Sequence, residues 1–319
     1  MATITTGSNP ANLYLYYVKK LLKVFDQTLQ MYDLGMKTPV PSGMGTQVKW
    51  LQYIRLAAAT TPLVEGIPPT EQSLITQNVT ATVQQYGGFV KISDLMETVS
   101  IDPIVNSALE RLGKQASLTL DTLILTELGA NLPNQFANNK ISLATTGVND
   151  VMTAKEILKA VVTLKKAFVT PHTGNDYVSV CHVTSSGDMM NDTNIGSWVD
   201  LNKYIDPESE RPFNGEVGKV YGCRVMESQN ITSTNVGTLA GATVYANIVL
   251  GEEPFGVVLL DGKSVQTFVK PTGTAGSADP INQIGTVGWK SLGFVAKYLG
   301  GGASGNPDRG IQVRAGSAY

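Results

Sequence analysis

A chain of 319 residues has room for about two domains of ordinary size. With 24 Lys plus Arg against 26 Asp plus Glu, a formal charge of −2 and only 16% charged residues, it lacks the basic excess of a dedicated nucleic-acid reader. No run of about 18 apolar residues predicts a membrane-spanning helix, Met1–Pro10 lacks the charged and apolar regions of a signal peptide, and only two cysteines, Cys181 and Cys223, argue against a disulfide framework and for synthesis in a reducing compartment.

Residues 11–34 predict an amphipathic helix, with Leu13, Tyr17, Leu21, Val24, Phe25, Leu29 and Tyr32 on one side. Lys19, Lys20 and Lys23 make it locally basic, which suits either solvated lysines on a packed helix or an arm facing a neighbour or a polyanion. Gln47–Leu56 alternates: Val48, Trp50, Ile54 and Leu56 on one face, Lys49, Tyr53 and Arg55 on the other, as in a half-buried strand. A return strand is expected over Asn78–Leu95, with Val79, Ala81 and Val83 on one face. Its apolar parity flips after Gly87–Gly88 to Val90 and Ile92, which predicts a bulge or bend at those glycines. Between the two strands lie 21 residues, Ala57–Gln77, with Pro62, Gly66, Pro68 and Pro69. So long a connection is uncommon in a compact domain, and a two-stranded arm is marginal alone in water, so this arm is expected to rest on another chain.

The longest element is a helix over Asp102–Ala130, of about 43 Å. Asp102 is a good N-cap and Pro103 a good first helical residue. Val105, Ala108, Leu109, Leu112, Ala116, Leu120, Leu123, Ile124 and Leu128 form one apolar stripe, with Gly129 and Asn131 as stop signals. Thr153–Glu156 has a capping-box pattern and opens a helix with Ile157, Leu158, Val161, Leu164 and Phe168 inward, ending before Pro171. Tyr177–Val183 predicts a strand, Trp198, Leu201 and Tyr204 a short helix, and Cys223–Met226 a strand. Ser228–Ala242 reads as a loop. Strands follow at Thr243–Leu250, Val257–Leu260, Ser264–Lys270 and Thr286–Leu299, then a Gly-rich tail. The pattern is α+β, with a middle segment (151–242) inserted between two halves of another unit.

Five stretches together resemble one family: Ala58–Gly66 (AATTPLVEG), Tyr86–Asp94 (YGGFVKISD), Leu112–Ala116 continuing through Thr119–Asp121, Phe213–Gly218 (FNGEVG) and Gly285–Lys290 (GTVGWK). In this order they resemble the major capsid proteins of tailed bacteriophages, in the branch typified by the coliphage N-four capsid protein. The match spans about 46–299. The resemblance implies the Hong Kong 97 capsid fold: an N-terminal arm (1–45), an extended loop (46–96), a peripheral domain with a long spine helix (97–150 and 243–319) and an axial domain (151–242). It implies pentamers and hexamers assembled into an icosahedral shell around double-stranded DNA, with scaffold, portal and decoration proteins as partners. Such a protein is made in the bacterial cytoplasm and ends in the virion. Trp50, Tyr53, Arg55, Glu65 and Lys91 are the expected intersubunit contacts, and Lys19, Lys20 and Lys23 the expected inner-face neighbours of DNA. The same fold would also serve an encapsulin-like compartment enclosing a protein cargo.

Enzymatic readings fare poorly. Gly300, Gly302 and Gly305 fit G-x-G-x-x-G, but Pro307 follows where a helix is needed. Gly262-Lys263-Ser264 lacks the leading glycine of a phosphate loop, since Gly256 is one residue out of register. Cys181, His182, His172 and Cys223 offer one adjacent pair, which a strand would point to opposite faces. Asp94, Glu97 and Asp102 suit capping and salt bridges better than acid–base work. No catalytic residue, cofactor or metal is expected.

Overall fold

The computed structural model describes residues 31–41, 43, 45–100, 104–194, 196–197, 216–236, 242–260, 265–274, 279–301 and 307–317. The expected helix over 11–34 therefore lies outside the described residues except for a 3-10 turn, Met31–Leu34. Also outside are Asp102, Pro103, the expected helix around Trp198–Tyr204 and the Gly262-Lys263-Ser264 stretch.

The strands and helices run β1 (Met36–Val40), β2 (Gln47–Tyr53), β3 (Thr76–Thr82), β4 (Gln84–Ser93), α1 (Asp94–Val99), α2 (Ile104–Asn131), β5 (Asn134–Phe136), α3 (Ala154–Lys166), β6 (Tyr177–Cys181), α4 (Val183–Met190), β7 (Glu216–Val220), β8 (Cys223–Glu227), β9 (Ser233–Val236), β10 (Ala242–Leu250), β11 (Phe255–Leu260), β12 (Gln266–Lys270), β13 (Ile284–Tyr298) and β14 (Gly310–Gly316).

Two sheets carry the molecule. In the five-stranded one, β13 is central. Phe294 pairs with both Gln84 of β4 and Leu259 of β11, so β4 takes one edge of β13 while β11 and β12 share the other end to end. β1 adds to β11 in parallel. The seven-stranded sheet runs β5-β14-β10-β6-β8-β7, with β9 also on β10. Both faces of β6 are covered, which is why all five of its residues are buried. Val178 and Val180 face the second half of α2, while Tyr177 and Cys181 face α3.

The 28-residue α2, about 42 Å long, ties the sheets together. Its Leu112 and Ala116 pack on Ile92, Val287 and Trp289 of the five-stranded sheet. Its Leu120, Ile124, Leu125 and Leu128 pack where Val178, Ile248, Leu250, Phe255 and Phe294 meet. The stripe is the expected one widened by Leu125, with Leu123 only half-buried, and the helix runs through Gly129 to Asn131.

Several expectations are corrected. The run expected as one return strand is two, β3 and β4, broken at Val83. β3 pairs with β2 and β4 with β13, so the parity flip reflects a change of sheet. No bulge sits at Gly87–Gly88, where pairing with β13 is regular. The register shift falls instead between Ser291 and Phe294. Gly88 marks a close approach: a Cβ there would lie 2.8 Å from Gln115 Oε1, which accepts the Trp289 indole N–H at 3.1 Å. The capping box does not form either. Thr153 caps α3 without a side-chain hydrogen bond, and Glu156 turns away to accept from the Asn138 backbone N–H and Lys159 Nζ. Val183–Met190 is a helix, 228–242 contains β9, and the Gly-rich tail contains β14. β5, β10 and β14 join β6–β8 in one sheet.

Candidate functional site

The candidate site is a pair of surfaces. The first is the ribbon of β2 and β3, paired from Gln47↔Thr82 to Tyr53↔Thr76 and extended by a hydrogen bond from Ile54 N to Ile75 O. Its inner face, Val48, Trp50 and Ala81, lies on the chain's own body. Trp50 sits over Gly256 of β11 and donates its indole N–H to Thr38 Oγ1 at 3.2 Å. A Cβ at Gly256 would come 2.7 Å from the Trp50 ring, so only glycine leaves the seat open.

At the far end of the ribbon, the Arg55 guanidinium lies over the Phe168 ring, 4.4 Å from its centroid. Phe168 follows α3 in a Schellman turn: Val169 N–H reaches Leu164 O at 3.1 Å and Phe168 N–H reaches Lys165 O at 3.0 Å. That turn needs positive φ at its C′ residue, normally glycine, yet Phe168 takes it at φ 59°.

Beyond Leu56 the ribbon leaves the body. Residues 55–76 are all exposed, and Leu63, Val64, Ile67 and Leu74 each keep 60% or more of their surface in water. A turn closed by Ile67 N to Val64 O, with Gly66 at φ 83°, presents Glu65 at its corner. Between Arg55 and Lys91 the sequence has no cation, only Glu65 and Glu71.

The second surface is the face of β4, β13 and β12 turned away from α2. The register sets three rows across it: Lys91–Thr286–Lys270, Phe89–Gly288–Phe268 and Gly87–Lys290–Gln266. Phe89 and Phe268 are 66% and 46% exposed and flank Gly288, above a groove of about 520 Å³. The rows carry three lysines and no carboxylate. An apolar, acidic tip and an apolar, basic groove are thus both uncovered on one chain.

Of the five expected contact residues, Tyr53, Glu65 and Lys91 are exposed. Trp50 and Arg55 engage their own chain. Lys19, Lys20 and Lys23 lie outside the described residues. The sequence alone does not mark Phe89, Phe268 and Lys270 as contacts; their common signal is alternation opposite the α2-facing residues, visible only once β4 and β12 are known to share β13.

No group of three or more metal-ligating side chains occurs among the described residues. Burial pushes the Cys181 thiol up to about 11 and the Cys223 thiol well above its usual range, so both stay protonated and inert at neutral pH. His182 caps α4, accepting from Thr184 N, and stacks on Tyr245 at 4.0 Å. His172 Nε2 bonds Leu34 O. Asp94 accepts from its neighbour Leu95 N at the start of α1. The two cysteines share the apolar core beneath α3, while His172, His182 and Asp94 are engaged elsewhere, each with its own partner.

A model of the family described as phage capsid protein matches residues 77–303. Among solved structures, the chain is similar to the capsid of Ralstonia phage GP4, with TM-score 0.74 and 14% identity over 99% of this chain and 98% of that one. It is similar to the acidic-stable capsid of Helicobacter pylori bacteriophage KHP30, with TM-score 0.73 and 11% identity over 99% of each chain. It is also similar to the capsid of cyanophage Pam1, with TM-score 0.70 and 14% identity over 99% and 98%. At these identities the likeness is one of fold. No curated protein matches the sequence.

Proposed function

The chain belongs to the phage capsid protein family, and from that premise we propose that it is the major capsid protein whose copies close, through their extended loops, into the pentamers and hexamers of an icosahedral head enclosing phage DNA. The role is structural rather than enzymatic, and its place is the capsid shell of the virion. No helix among the described residues is long and apolar enough to cross a membrane.

One observation carries the assembly reading: the loop tip beyond Leu56 exposes Leu63, Val64, Ile67 and Leu74 with no cover from the described residues. Exposed apolar surface of this extent marks an interaction site. The tip's two acids and the three lysines beside Phe89 and Phe268 make the outward sheet face a fitting place on the next copy. A contact between two different patches is head-to-tail, and such contacts give rings when the rotation closes.

In this reading the Hong Kong 97 parts are an arm at 1–45, an extended loop at 46–96, a peripheral domain at 97–150 and 243–319, and an axial domain at 151–242 that shares its sheet with β5, β10 and β14. Lys19, Lys20 and Lys23 would meet DNA phosphates without reading sequence. Scaffold, portal and decoration proteins would complete assembly in the host cytoplasm.

The test is electron microscopy of the purified full chain with and without its head-gene neighbours. Closed shells of uniform diameter, carrying nuclease-protected DNA in infected cells, are expected. Monomers under every condition would overturn the reading, and shells filled with a protein cargo would assign the fold to an encapsulin-like compartment.

A further inference from the structure

The Arg55–Phe168 contact is a conformational device the capsid reading does not require. A glycine would satisfy the turn after α3 without strain, and the ring that stands there instead is 75% exposed. Burial therefore does not explain it. The α3 terminus is fixed from below by Leu164 and Val169, both buried, so Phe168 is a rigid post at the surface. The one contact described for that ring is the guanidinium of Arg55, on the neck between the β2–β3 ribbon and the exposed tip.

We infer that Phe168 and Arg55 form a latch that fixes the direction in which the loop tip leaves the body before any second copy arrives. Trp50 on Gly256 holds the middle of the ribbon, and the latch holds its distal end. Val48 and Ala81 seat the base of the ribbon beside Trp50, and the latch adds a hold beyond them, where the ribbon gives way to the exposed tip. The segments clamped together are far apart in sequence, 55 and 168, so the latch also sets the ribbon's angle against the seven-stranded sheet that α3 covers. Fixing the tip in advance lowers the ordering cost of association, which is how preorganisation raises affinity. Arg55 and Phe168 are positioning residues: in the latch they act through the tip. The inference rests on the extended loop being the assembly element.

The experiment is pulsed dipolar distance measurement on the unassembled full chain, spin-labelled at Ser73→Cys in the tip and Lys155→Cys at the start of α3. Cys181 and Cys223 are buried and stay unlabelled. A single narrow distance is expected for the parent. Phe168→Gly is expected to melt at or above the parent temperature, because glycine suits φ 59°, while its distance distribution broadens. Arg55→Ala should broaden it alike, and Arg55→Lys should keep it narrow because an ammonium also sits well over a ring. An unchanged distribution in Phe168→Gly overturns the latch even if shells form normally. Broadening in Arg55→Lys as large as in Arg55→Ala overturns the cation–ring account. Failure of the parent chain to form shells, by contrast, would sink the assembly reading and leave this distance result readable.

Discussion

Asp121 is a carboxylate on α2 with 2% of its surface exposed and no cation bound to it among the described residues. Its Oδ1 accepts the Met31 backbone N–H at 3.1 Å, and its Oδ2 accepts Asn230 Nδ2 at 2.9 Å. It therefore pins the 3-10 turn at Met31–Leu34 and the loop after β8 to one turn of α2. Burial raises its pKa, and the two hydrogen bonds pull it only partway back. The folded chain holds this proton more tightly than the unfolded chain does. The resulting stability is complete below the ordinary value of 3.8 and is lost as pH rises through the folded value. Asp121→Asn, neutral at every pH, is expected to flatten that part of the profile, measured by denaturant unfolding at a series of pH values. A mutant profile parallel to the parent's would refute it. Residues of this kind were poorly legible: Asp121 falls among the apolar stripe of α2, and nothing in the sequence says that residues 31 and 230 come to meet it. Glu156 shows the same blindness. Its spacing from Thr153 suits a capping box, but Gln135 of β5 and the Asn138 backbone N–H compete for the carboxylate and win.

Among elements, α2 was the most legible because a stripe at helical spacing over eight turns has few other readings. Its energetic centre is Ile124, fully buried between the two sheets. Ile124→Ala should cost roughly 2–5 kcal/mol, from lost burial plus the cavity left behind. Urea unfolding should show that loss as a lower midpoint, with the helix signal otherwise intact; a change under about 0.5 kcal/mol, typical of surface sites, would contradict the packing described here. Short elements were harder. β14 was hidden in a Gly-rich tail because it is buried on both faces and so lacks alternation, with glycine at each end. The break between β3 and β4 was legible only as a parity flip, and its cause, a change of partner strand, is not local information.

At the scale of the molecule, the exposed tip and the basic, aromatic sheet face are what separate this chain from a self-sufficient globule. Changing Leu63, Val64 and Ile67 together to Ser removes apolar groups that touch water in the single chain. The variant should fold and melt like the parent, since such surface changes usually stay within about 0.5 kcal/mol each. Shell formation should be lost, as read by sedimentation and negative-stain images. Normal shells from that variant would remove the tip from assembly.

The sequence by itself determined the α+β class, the long helix, the ribbon with its uncovered tip and, through five ordered stretches, the capsid resemblance. Each of these rests on periodicity or local composition, which a single chain segment carries within itself. Only the tertiary structure decided that Trp50 seats on Gly256 and Arg55 lies across the exposed Phe168 ring, that β4 and β12 share β13 to build the outward groove, and that β5, β10 and β14 complete the second sheet. Those are pairings between residues tens to hundreds of positions apart, chosen by competition among surfaces for burial, and no local pattern records which surface wins.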